Sequence, residues 1–103
     1  MKNNKRPTFE EFKKEALQDP EVKAAYDLLK AESELLEKFI KARKKASYSQ
    51  LDLATKLNLQ QPAIARLERG GYTTASVNRL SRVADALGYS MKISLTPKKR
   101  KLQ

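Results

Sequence analysis

The spacing of apolar positions divides the chain into several helical segments and one alternating segment. Phe9, Phe12, Ala16 and Leu17 share one side of a short segment. Thr8 and Glu11 have the spacing of a capping box, in which hydroxyl and carboxylate each satisfy an N–H at the start of a helix. This predicts a helix over about 9–18. Asp19-Pro20 is a second start: Asp caps, and Pro takes the first helical position, where its missing N–H costs nothing. Neither Gly nor a further Pro follows until Pro62. Val22, Tyr26, Leu29, Leu36 and Ile40 form a helical stripe, widened by Leu28, Leu35 and Phe39. One helix is expected over about 20–45, roughly 39 Å long at 1.5 Å per residue, with Ser33 as the point where it can break.

Ser47-Tyr48-Ser49 ends that helix and caps another over about 49–57, whose apolar stripe is Leu53, Ala54 and Leu57. Asn58-Leu59 reads as a turn. Ile64 and Leu67 are the inward positions of a helix over about 61–68, stopped by Gly70-Gly71. Thr74 is read as the cap of a helix over about 75–87, with Val77, Leu80, Val83, Ala84 and Leu87 inward and Gly88 at the left-handed C-terminal position. Tyr89–Thr96 then changes period. Met91, Ile93 and Leu95 alternate with polar neighbours, as in a half-buried strand. A lone strand leaves its backbone groups unpaired, so its mate is expected from another chain. The expected fold class is mainly α. It comprises an acidic helical arm (1–36), a helix-turn-helix unit (37–88), and a C-terminal strand with a basic tail (89–103).

Within this layout the stretch SQLDLATKLNLQQPAIARLERG, residues 49–70, carries the strongest functional signal. Two short helices meet across a tight turn, and Ala54 is small where they must cross closely. The second helix opens with Gln60, Gln61 and Pro62, so amide side chains project from its N-terminal end. A helix-turn-helix reads base edges in the major groove in this way. Double-stranded DNA is therefore the expected partner.

Charge sharpens the picture. The net charge of +10 is uneven: residues 7–40 carry −4, residues 41–103 carry +11, and the first six residues carry +3. A basic module behind an acidic arm suits a polyanionic partner, whereas charge serving solubility alone would mix the signs. Cys and His are absent. That removes disulfides, zinc-finger spacing and histidine acid–base chemistry. No constellation of carboxylates, Lys, Ser or Tyr stands out, so no enzyme activity, cofactor or metal is expected. No apolar run approaches the roughly 18 residues of a membrane span, and MKNNKRPTFEE lacks a signal-peptide core. The expected location is the cytoplasm, on the nucleoid when DNA is bound, without a membrane partner.

Residues 37–88 resemble the lambda-repressor-like (Xre-type) helix-turn-helix domain. The resemblance rests on Arg43, Ser49-Gln50, Leu53-Ala54, Leu57, Ile64, Arg66-Leu67-Glu68, Gly70, Leu80, Ala84 and Ala86-Leu87-Gly88. The wider layout resembles HigA-type antitoxins of HigB–HigA modules: an Asp-Pro-Glu-Val arm at 19–22, a long helix into the domain, and MKISL at 91–95 after Leu87-Gly88. One position departs from the pattern. Asn58 stands where the family usually has Gly, and Asn tolerates the left-handed conformation. The resemblance implies an antitoxin that neutralises a RelE/HigB-like mRNA-cleaving toxin and, as a homodimer, represses its own operon. The alternative is a stand-alone or phage-type Xre regulator with no toxin partner, whose arm only packs or dimerises.

For the DNA contact, Gln61 is the expected base reader, since its amide matches adenine. Gln60 is expected to cap the helix or touch phosphate. Pro62 and Ala63 would meet thymine methyls, and Arg66, one turn on, a guanine or a phosphate. Gln50 begins the helix that crosses the backbone, so phosphate is its expected target. Arg69, Lys44 and Thr73 are further phosphate candidates. By the resemblance, Arg43 and Glu68 join as a partly buried ion pair, the other reading of Arg43 being a phosphate contact. Phe9, Phe12, Val22, Tyr26 and Leu29 exceed the apolar surface that a small domain needs and would bind the toxin. Such toxins are basic RNA-binding proteins, which suits an acidic arm. Met91, Ile93 and Leu95 would pair with a two-fold mate or extend a sheet in the toxin.

Overall fold

A computed structural model describes residues 8–98, and the expectations for the first residues and the end of the tail lie outside that range. The described chain is mainly helical. It runs α1 (Phe9–Ala16), α2 (Pro20–Lys45), α3 (Gln50–Leu57), α4 (Gln61–Glu68), a single 3-10 turn (Gly71–Thr73) and α5 (Val77–Ala86).

Local chemistry sets most of these boundaries. Thr8 and Glu11 form the capping box of α1, and the Asp19 carboxylate accepts the Glu21 N–H at the start of α2, with Pro20 in the first turn. Ser33 does not interrupt α2, which runs unbroken to Lys45. Ser49 and Asp52 form a second capping box on α3, and the Ser49 N–H bond holds the Asp52 carboxyl below the usual carboxylate range. Asn58 ends α3 in the left-handed region (φ 58°, ψ 41°). The Leu59 N–H returns to the Ala54 carbonyl at 2.8 Å, the long bond of a Schellman ending. Ser47 has the same role after α2, at φ 62°, with Tyr48 N–H bonded to the Arg43 carbonyl.

Two expectations change at α5. Its cap is Ser76, whose hydroxyl accepts the Arg79 N–H, and not Thr74. Thr74 instead donates its hydroxyl to the Gly71 carbonyl within the preceding turn. With the helix starting at Val77, that side chain points outward and is 56% exposed.

The core is formed by Phe39 of α2, Leu53 and Ala54 of α3, Ile64 and Leu67 of α4, Tyr72, and Val83, Ala84 and Leu87. Ala54 is fully buried where α3 meets α4, so any larger side chain there would overpack the crossing. Phe39 and Tyr72 stack with ring centroids 4.3 Å apart. Tyr72 follows the glycines in a segment with no helical period, which hid its role in the core.

The N-terminal half of α2 contributes no buried residue; Phe39 and Arg43 are the buried positions of that helix. Together α1 and the first half of α2 form an arm, with the Lys13 ammonium 5.0 Å from the centre of the Tyr26 ring. The radius of gyration, 19.1 Å, exceeds the roughly 13 Å of a compact chain of this length. No helix among the described residues is long and apolar enough to cross a membrane.

Residues 90–96, expected as a strand, join no ladder among the described residues. A strand needs a neighbour for its backbone groups, and the helical chain offers no edge. Met91 is half-buried against the core, while Ile93 and Leu95 are 66% and 95% exposed.

Candidate nucleic-acid interface

A chain of hydrogen bonds leads from the buried end of α2 to the open end of α4. Arg43 lies in the last turn of α2 and uses its whole guanidinium. Nε donates to Glu68 Oε2 at 2.6 Å, Nη2 to Glu68 Oε1 at 3.1 Å, and Nη1 to the Tyr48 carbonyl at 2.8 Å. The two side chains are 11% and 7% exposed, so this is a two-point ion pair largely withdrawn from water. Glu68 Oε1 also accepts Gln50 Nε2 at 2.9 Å, and Gln50 Oε1 accepts Gln61 Nε2 at 2.6 Å. Arg43, Glu68, Gln50 and Gln61 therefore form one connected polar network across α2, α4 and α3.

The network fixes the first turn of α4. Gln61 is half-buried, and one of its two amide hydrogens is committed to Gln50. Its carbonyl oxygen and second amide hydrogen carry no hydrogen bond among the described residues. Gln60, expected as a cap, makes no capping hydrogen bond; it is the exposed residue before α4. Pro62 is exposed and Ala63 half-buried beside it. Arg66, Arg69 and Lys44 are exposed cations around the same unit.

Two phosphate candidates have other partners. Gln50 bonds to Glu68 and Gln61, which leaves one amide hydrogen for anything outside the protein. Thr73 donates both its hydroxyl and its N–H to the Gly70 carbonyl, at 2.7 and 3.1 Å. A phosphate oxygen needs a donor, and Thr73 has spent both in closing its own loop.

Under this network lies Tyr72. Its hydroxyl is buried without a hydrogen-bond partner among the described residues. Burial, and then the Glu68 carboxylate, push its pKa up to about 12, partly offset by Arg43. Glu68, at the end of α4, thus reaches α3 through Gln50 and acts electrostatically on the core through Tyr72.

Sequence reasoning did not pick out Arg79 and Arg82, three residues apart on α5. They border an open concavity of about 270 Å³, together with Leu57, Asn58, Leu59 and Val83, directly beside the turn that leads into α4. The signal available was a pair of arginines at one-turn spacing on an otherwise amphipathic helix. Their proximity to the turn depends on how α5 packs against α3. No group of three or more acidic, His or Cys side chains is placed to hold a metal among the described residues.

The surroundings of α4 are those of a helix offered to an external partner. Its inner residues Ile64 and Leu67 are locked in the core, its N-terminal Gln61 amide is held by Gln50, and its flanks are cationic. A search of curated proteins and one of solved structures returned no match. A family model described as a helix-turn-helix domain matches residues 16–96. That span includes all of α2 to α5 with the Asn58 turn at its centre, and the chain belongs to this helix-turn-helix family.

Proposed function

We propose that this protein is a transcriptional autorepressor and antitoxin that reads operator DNA with α4. The observation that carries the DNA reading is the hydrogen bond from Gln61 to Gln50, backed by Glu68 and Arg43. Adenine presents a donor, N6–H, and an acceptor, N7, in the major groove. Gln61 retains one acceptor and one donor to match them. Because Gln50 already holds the amide, less side-chain freedom is lost on binding. Pro62 and Ala63 supply apolar contact to neighbouring thymine methyls, and Arg66, Arg69 and Lys44 supply charge to the backbone.

The test is binding to the DNA upstream of the protein's own operon, followed by single-base variants of the protected site. Gln61→Ala should reduce discrimination at one or two base pairs by about 1–3 kcal/mol. An unchanged base preference would remove Gln61 as the reader.

The antitoxin part rests on the arm. Phe9, Phe12, Val22 and Leu29 are exposed, at 73%, 61%, 42% and 64%, while Tyr26 is half-buried. These apolar groups sit among the net −4 of residues 7–40. Such a surface suits a basic protein of the RelE/HigB-like toxin kind. Met91, Ile93 and Leu95 favour a homodimer in which two copies pair along residues 90–96. Pairing would set two α4 helices about 34–36 Å apart, one turn of DNA. In the second reading, a regulator without a toxin, the same arm is covered by another copy of the chain.

A further inference from the structure

We propose that Arg79 and Arg82, with Asn58, form a dedicated cleft for a DNA backbone phosphate beside the recognition helix; this rests on the DNA-binding reading of α4. The geometry begins with the turn. Leu57, Asn58 and Leu59 wall one side of a 270 Å³ concavity and lead directly into Gln60 and Gln61. Arg79 and Arg82 of α5 wall the other side. Both are exposed, and neither makes a hydrogen bond or ion pair through its side chain among the described residues.

The placement of Arg79 runs against local helix energetics. It stands in the first turn of α5, three residues after the Ser76 cap, and no acidic residue shares that turn. A cation there meets the positive end of the helix dipole, an unfavourable arrangement. An anion seated between the two guanidinium groups reverses the sign, since it is favoured by the dipole and by both arginines. Asn58 can add a neutral donor from the opposite wall.

The anion chosen follows from the position. A helix about 10–12 Å across fills a major groove about 12 Å wide. The elements on its flanks must then face the phosphate ridges. A guanidinium pair matches a phosphate's geometry and does not depend on base identity. The cleft would set register on the duplex, leaving base choice to Gln61.

The experiment compares the full-length protein with Arg79→Gln/Arg82→Gln on a mixed-sequence duplex and on the operon's own upstream DNA, across a salt series. The control is Lys14→Gln/Lys30→Gln, which removes the same charge from the arm. The double arginine variant should bind every duplex about tenfold or more weaker. The slope of log affinity against log salt should become less steep, by about 0.9 for each phosphate that the variant no longer neutralises. The control should keep the wild-type slope, and Arg79→Lys/Arg82→Lys should restore most of it. Wild-type binding with an unchanged slope in the arginine variant overturns the cleft and leaves the DNA reading intact. No wild-type binding to either duplex overturns both. An intact slope with a changed oligomeric state, read by sedimentation, assigns the arginines to carboxylates of a second copy and likewise overturns the phosphate cleft.

Discussion

Glu68 is the residue on which the unit turns. It balances Arg43, orients Gln50, and raises the energy of ionising Tyr72. Removing it leaves a guanidinium that is 11% exposed without its carboxylate. Glu68→Ala should therefore lose about 3–5 kcal/mol of folding stability, a large fraction of the roughly 5–15 kcal/mol of a typical domain. Urea denaturation checks this, and an unchanged midpoint would show that the pair is not structural. Tyr72 gives a separate, pH-dependent test. Its pKa of about 12 in the folded chain lies above the ordinary value of 10.0. Below pH 10 the hydroxyl is protonated in both states, and its contribution is fully present. As pH rises from 10 to 12 the unfolded chain loses the proton first, so stability falls, by roughly 2–3 kcal/mol over the window. Tyr72→Phe should remove this alkaline loss. At neutral pH it should match or exceed the wild type, because it deletes a buried hydroxyl that has no partner. A variant that melts earlier at neutral pH, or keeps the alkaline loss, would rule out this role for the hydroxyl.

Among the helices, caps and left-handed residues decide where each element ends. Ser49 starts α3 and Asn58 ends it, so a helix of eight residues is terminated by specific chemistry on both sides. Capping chemistry also separates two hydroxyls before α5. Ser76 accepts a helix N–H, whereas Thr74 donates within the preceding turn. Ser76→Ala should cost about 1 kcal/mol. Thr74→Ala should stay within about 0.5 kcal/mol of wild type. Thermal melts of the two variants distinguish them, and a larger loss at Thr74 would move the start of α5. Helix packing explains why Gln50 and Gln61 meet. The Ala54 crossing brings α3 and α4 together closely enough for two long amides to touch, 11 residues apart in the chain.

For the whole molecule, the division is between a packed helical unit and an arm that its own core does not cover. The first half of α2 is helical because of its cap, its alternating charges and the absence of breakers, not because it is buried. Its exposed apolar groups therefore tolerate change without loss of fold. A Phe12→Ser/Leu29→Ser variant should keep the wild-type melting temperature and DNA affinity. It should also lose co-purification with the product of the adjacent reading frame. Retained capture would remove the arm as the toxin-binding surface. The strand expectation also belongs to this scale. Ile93 and Leu95 lie in the open on one chain, and a ladder there requires a second one.

Much of this protein is local, and that part was legible without coordinates. The bounds of α2 and α4, the capping pair Thr8–Glu11, Ser49 within the stretch that caps α3, the left-handed Asn58, and Leu53, Ala54, Ile64, Leu67, Val83 and Leu87 as core all follow from spacing, caps and breakers that act within a few residues. Gln61 as an N-terminal amide of α4 was legible for the same reason. The tertiary structure decided what depends on distance along the chain: Tyr72 stacked under Phe39, Val77 turned outward, Thr73 closing its own loop, and Arg79 and Arg82 beside the turn. It also decided that Gln50 points to Glu68 and Gln61. Periodicity tells which face of a helix is buried, but a hydrogen bond between α3 and α4 exists only once their crossing has set the separation of the side chains.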